Sequence, residues 1–151
     1  MPESGIGNNI DKWRKQRLTL QLSMQQTLIC STSARADDNL DQSLQSLCDE
    51  LIDYVSTGHF SIYSRPLSFT RQMTTEVSSI LQGIYQYIGS TTDQVLLFND
   101  RVESCLIGDL SDTLHNDLLK LKKSLSVRFA LEEQLLELGT PDKFRTLQTS
   151  T

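Results

Sequence analysis

Few side chains in this sequence are equipped for covalent or metal chemistry. There are two histidines and three cysteines in 151 residues. His59 and His115 stand far apart, and neither belongs to an HxxE or HxxxH pair, so the spacing does not favour a metal site. A histidine phosphotransfer bundle would need an exposed histidine followed by Lys-Gly. His59 is followed by Phe60, and His115 by Asn116. A hemerythrin-like iron site needs more histidines than the chain holds. Cys30, Cys48 and Cys105 form no CxxC motif, and their odd number suits reduced, buried thiols in a cytoplasmic protein. No cofactor or metal is therefore expected. The informative charges are Arg128 and Glu132, one turn apart and both on an apolar helical stripe. Charges in that position are tolerated when paired. Asp53 and His59 are the partners expected for them, giving an internal polar network of Asp53, His59, Arg128 and Glu132.

The helices that position these residues are legible in the spacing. From Asn39 to Tyr63, the residues Leu40, Leu44, Leu47, Cys48, Leu51, Ile52, Val55, His59, Ile62 and Tyr63 hold one helical face for more than six turns. His59 falls on that face and is expected inward. A second line, Asp49, Asp53, Ser56 and Phe60, runs along the opposite side. An aromatic residue among acidic and hydroxyl groups is what a protein-binding surface often shows. It also fits a line covered by another helix, which leaves Phe60 either anchor or core. Gly58 weakens a helix interior by ~1 kcal/mol relative to alanine, so its presence suggests a close approach by another element.

Three further long helices are expected. The first begins at a cap on Asn8 or Asn9 and runs to about Leu28, with Trp13 packed in the core and Arg17 beside it. Residues 29–38 read as a loop. Pro66 ends the central helix, and Ser68 or Thr70 caps a helix from Met73 to Ile88 that Gly89 stops. A short helix is expected over 93–98 and a connecting loop over 99–108. The last long helix starts near residues 109–112 and ends at Leu138, before Gly139 and Pro141. The fold expected is an all-α, antiparallel up-and-down bundle of four long helices with one or more short connecting helices. It forms one domain over 1–151, with flexible tails at 1–8 and 142–151. Low glycine and proline counts, 7 and 3, agree with helix.

Net charge is −5, which disfavours direct contact with a nucleic-acid backbone. Such acidity also serves solubility, yet it would attract a basic protein partner. No run approaches the ~20 apolar residues of a membrane span.

Three segments carry a resemblance. The run DYVSTGHFSIY matches the distinctive segment of the Rsd/AlgQ family at Asp53, Tyr54, Ser56, Gly58, His59, Phe60, Ile62 and Tyr63. LSVRFALEEQL resembles a second family motif at Arg128, Phe129, Glu132 and Glu133. IDKWRKQR, with Asp11, Trp13 and Arg17, is a weaker third. The resemblance implies a cytoplasmic helical bundle without enzymatic activity that binds region 4 of the primary sigma factor of RNA polymerase. That region is a basic helix-turn-helix domain, and covering it opens the polymerase to alternative sigma factors, typically in stationary phase. By the same resemblance the sigma-binding face lies on the central helix, at Asp53, Ser56 and Phe60 with the neighbouring Asp49, Ser61 and Tyr63. Pro66, and Ser23 to Gln26 at the end of the first helix, depart from the family pattern.

Overall fold

In the computed structural model the described residues are 2–32, 38–63, 74–104 and 107–138, with side chains placed from residues 9, 40 and 113 onward in the first, second and last of these. They form four long helices, α1 (Pro2–Thr32), α2 (Asp38–Thr57), α3 (Thr75–Ser104) and α4 (Ile107–Leu138), and one π-helical turn, Gly58–Ile62, that extends α2. Neighbouring helices run antiparallel. Thr27 reaches Ser43 while Arg17 reaches Tyr54, and Ser31 reaches His115 while Arg14 reaches Glu133. Arg101 meets Asp117 while Ile88 meets Arg128. This is the expected all-α up-and-down bundle. Its core takes one stripe from each helix, including Trp13, Leu20 and Met24 of α1, Leu44, Leu47, Leu51 and Tyr54 of α2, Leu81, Ile84 and Val95 of α3, and Leu114, Leu118, Leu125 and Leu135 of α4.

Several expected boundaries move. α1 begins at Pro2, ahead of Asn8 and Asn9, and a proline's fixed φ suits a first helical turn. It also continues through Thr32, where a loop was expected. Gly89 does not stop α3, and 93–98 is not a separate short helix. The buried residues Ile84, Ile88, Thr91, Val95 and Phe98 keep steps of four and three straight through this stretch. Thr91 and Thr92, which look like loop residues, return their hydroxyls to the Ile88 carbonyl one turn back, each at 2.9 Å. Residues 99–104 are likewise helical rather than loop. α3 is capped by Thr74, whose hydroxyl accepts from the Val77 N–H at 3.2 Å. Pro66 and the caps expected at Ser68 and Thr70 lie outside the described residues, as do Cys105, Gly139 and Pro141.

Candidate partner-binding site

Two features share the end of the bundle where α2 finishes. One is a buried polar cluster and the other an exposed turn standing on it.

The cluster centres on Glu132 of α4. Its side chain and that of Arg128 are both 0% exposed, and Arg128 Nε donates to Glu132 Oε2 at 3.2 Å. The hydroxyls of Tyr54 and Tyr63 both donate to the Glu132 carboxylate. Arg128 Nη2 donates to the Tyr63 hydroxyl at 2.8 Å. Arg128 Nη1 reaches α3, at the hydroxyls of Thr91 and Thr92, each 2.9 Å, and the Ile88 carbonyl. From α1, Arg17 Nε donates to the Tyr54 hydroxyl at 3.0 Å, and Arg17 Nη2 stands 3.6 Å from Glu132. Arg17 Nη1 also bonds Glu133, which Arg14 pairs at the surface. Side chains of α1, α2 and its π turn, and α4 therefore meet at one carboxylate, and Arg128 ties α3 to it.

Aromatic rings enclose the cluster. Trp13 is fully buried and stacks on Tyr54 with centroids 5.2 Å apart, while Phe129 meets Tyr54 edge-on. The Arg17 guanidinium lies over Trp13 at 4.9 Å and Phe129 at 5.3 Å. Burial and the Glu132 charge both push the Tyr54 and Tyr63 hydroxyls far above the ordinary phenol range, so both stay protonated donors. Burial opposes the Arg128 cation, but Tyr63 and Glu132 outweigh it, and its net shift is upward. Burial likewise works against the charge of Glu133, and the bonds from Arg14 and Arg17 hold its carboxyl below the usual range. The cluster is a set of matched charges and locked hydroxyls. Arg128 and Glu132 at its centre are closed off from solvent, while Arg14 and Glu133 reach the surface.

The expected membership of this network is corrected in part. Arg128 and Glu132 do pair inside the bundle. Asp53 and His59 take no part, and both are exposed. Asp53 lies one residue before Tyr54, about 100° round the helix, and Tyr54 is the residue that faces inward. His59 leaves the apolar stripe because the helix changes pitch. The Tyr63 N–H bonds the Gly58 carbonyl at 3.0 Å, an i→i+5 contact. That turn holds an extra residue, and His59, Phe60 and Ser61 are all carried to the outside. A period of 3.6 could not anticipate this.

Tyr63, expected at the partner face, is also corrected. It is 6% exposed and closes the π turn from within. Its N–H bonds Gly58, its hydroxyl bonds Glu132, and its carbonyl accepts from the Tyr85 hydroxyl at 2.6 Å. Its ring lies against Gly58, where an added Cβ would sit 2.6 Å from the hydroxyl oxygen and 2.7 Å from Cζ. The close approach that Gly58 permits is therefore by its own turn. Gly58→Ala is expected to lower stability by about 1–3 kcal/mol through overpacking, against the ~1 kcal/mol gain that alanine brings to an ordinary helix. Urea denaturation would check this, and a stabilised variant would contradict it.

On the outside, Phe60 is 79% exposed and its ring meets that of His59 edge-on at 4.8 Å. Asp49 and Asp53 are exposed on the same side of α2, and Ser56 is half-buried between them and Phe60. The parts of the site that sequence reasoning missed are the two tyrosine hydroxyls, Thr91, Thr92 and the central place of Arg17. Tyr54 and Tyr63 lie in the DYVSTGHFSIY run, but only their depth shows that they serve the interior. Among the described residues no group of histidine, cysteine and acidic side chains could hold a metal ion, and no helix is long and apolar enough to cross a membrane.

The sequence is 27% identical to the regulator of sigma D of Yersinia enterocolitica over 135 residues, covering 88% of this chain and 81% of that protein. It is 26% identical to the regulator of sigma D of Pectobacterium carotovorum, covering 87% and 89%. No solved structure matches significantly. The profile of the family described as regulator of RNA polymerase sigma(70) subunit, Rsd/AlgQ, matches residues 3–139. With that span matched, the chain belongs to the Rsd/AlgQ family of regulators of the RNA polymerase sigma(70) subunit.

Proposed function

We propose that this protein binds region 4 of the primary sigma factor and limits its use by RNA polymerase. The binding surface is the outward line of α2 with the π turn: Asp49, Asp53, Ser56, Phe60 and Ser61. The observation that carries the reading is Phe60, a large aromatic side chain left 79% exposed on a turn held from beneath. Interfaces gather most of their energy at such anchors. The two acidic residues two to three turns before it on the same side of α2 suit a basic helical partner and would raise the encounter rate. The protein acts in this reading by covering a surface, with no chemical step.

Mixing the protein with isolated sigma region 4 tests this. Association is expected, and it is expected to weaken as salt rises from low to physiological, since exposed charges are screened over ~10 Å at 0.1 M. No association at tens of micromolar would overturn the reading. The exposure of His59 removes one objection to a phosphotransfer bundle, but Phe60 still follows it where Lys-Gly is needed. Incubation with a phosphorylated response-regulator domain is expected to leave His59 unmodified.

A further inference from the structure

Beside the outward line of α2, the crease between α1 and α2 opens into a groove of about 430 Å³, lined by Lys12, Lys15, Gln16, Thr19, Glu50 and Asp53. Two acceptors on its walls stand unused. Gln16 Oε1 and Glu50 Oε2 are each shut off from solvent, and neither has a hydrogen-bond partner among the described residues. Both side chains are half-buried, and their terminal torsions are soft, so a small rotation turns each oxygen into the groove. A polar group left unsatisfied in this way is costly. The lysines on the same groove do not relieve it. Lys12 and Lys15 are exposed, and among the described residues neither forms an ion pair.

Charge indicates what the acceptor lacks. Asp49, Glu50 and Asp53 set three carboxylates along this side of α2, and the partner read for that side is basic. Arginine carries five donors in a planar fork and no acceptor, so one guanidinium can serve oxygens on both walls. We propose that Glu50, with Gln16 on the facing helix, receives an arginine side chain of sigma region 4 in the crease between α1 and α2. The inference rests on the sigma reading, and it widens that surface from one helix to two. It also gives the unpaired carboxylate a use. A partner without the arginine leaves Glu50 unsatisfied, so the residue selects against wrong partners as well as for the right one.

Glu50→Gln keeps the shape and removes the charge. It is expected to weaken association with isolated sigma region 4 at least tenfold, since charge-assisted hydrogen bonds are the strong ones. The same variant is expected to hold or raise the urea midpoint of the free protein, because an unpaired amide is less costly to bury than an unpaired carboxylate. A residue that only joined the two helices would lower it. Lys12→Gln with Lys15→Gln is expected to tighten association, as both cations repel the incoming arginine. In double-mutant cycles, with each arginine of region 4 changed in turn to methionine, Glu50→Gln is expected to couple to one of them. Unchanged affinity in Glu50→Gln would mean that water alone meets the carboxylate and would overturn the proposal. A less stable Glu50→Gln, or a less stable lysine variant, would overturn it too by making Glu50 a structural partner. If Phe60→Ala weakens association and Glu50→Gln does not, this inference alone fails. If the unsubstituted protein does not associate, the sigma reading fails with it.

Discussion

Glu132→Ala is expected to destabilise the fold by about 3–5 kcal/mol, the cost of breaking a buried ion pair from one side. That is a large share of the 5–15 kcal/mol by which a domain of this kind is stable. The reason lies in what remains. Arg128 is fully buried and fixed to α3 by Thr91, Thr92 and the Ile88 carbonyl. Without Glu132 it loses the carboxylate it pairs with among the described residues, and the Tyr54 and Tyr63 hydroxyls lose their shared acceptor. Urea denaturation measures the loss, and a change below ~1 kcal/mol would contradict it. Replacing both partners, Arg128→Met with Glu132→Leu, is expected to recover the share due to the unpaired buried charge, while the Tyr54 and Tyr63 hydroxyls still lack their acceptor. The recovered fold should still bind sigma region 4 less well. Tyr63 would lack the carboxylate that locks its hydroxyl, and the π turn that presents Phe60 would lose an anchor.

Phe60→Ala is expected to separate binding from stability in the other direction. A side chain 79% exposed adds little to the core, so unfolding free energy should change by no more than ~0.5 kcal/mol. An interface anchor of this size is worth ~2 kcal/mol or more, which is about a thirtyfold loss of affinity for sigma region 4. Calorimetry or fluorescence titration reads the second quantity and denaturation the first. Unchanged affinity would remove Phe60 from the interface. Unchanged affinity with a loss of 2 kcal/mol in stability would make it a core residue instead. His59, packed edge-on against Phe60, is expected to show a smaller effect of the same sign.

Much of the architecture was legible before any coordinates. Apolar residues at steps of three and four mark the core stripes of all four helices, because each helix must bury one face against the others. Arg128 and Glu132 could be recognised as buried charges from the same stripes, since charges there must find partners, but the partners expected, Asp53 and His59, stand outside the network. The continuity of α3 was harder to read. Gly89, Ser90, Thr91 and Thr92 have the local character of a loop, and only packing against Arg128 shows why two threonines serve a helix there.

The residues lining the two sides of the central helix were fixed by tertiary structure rather than by pattern. The sequence alone determined an all-helical bundle, the family segments, the presence of Arg128 and Glu132 on an inward stripe, and an unusual aromatic on an acidic line at Phe60. The apolar stripe took both His59 and Tyr63 inward, and the family resemblance set Tyr63 at the partner face; the fold turns His59 outward and keeps Tyr63 inside. A helix of constant pitch places every residue by its number, whereas the turn from Gly58 to Tyr63 holds an extra residue. That change of pitch is stabilised by Glu132, 69 positions beyond Tyr63 in the chain. A local pattern carries no information about so distant a partner, and so only the assembled bundle could decide that Tyr63 closes the turn and Phe60 stands free.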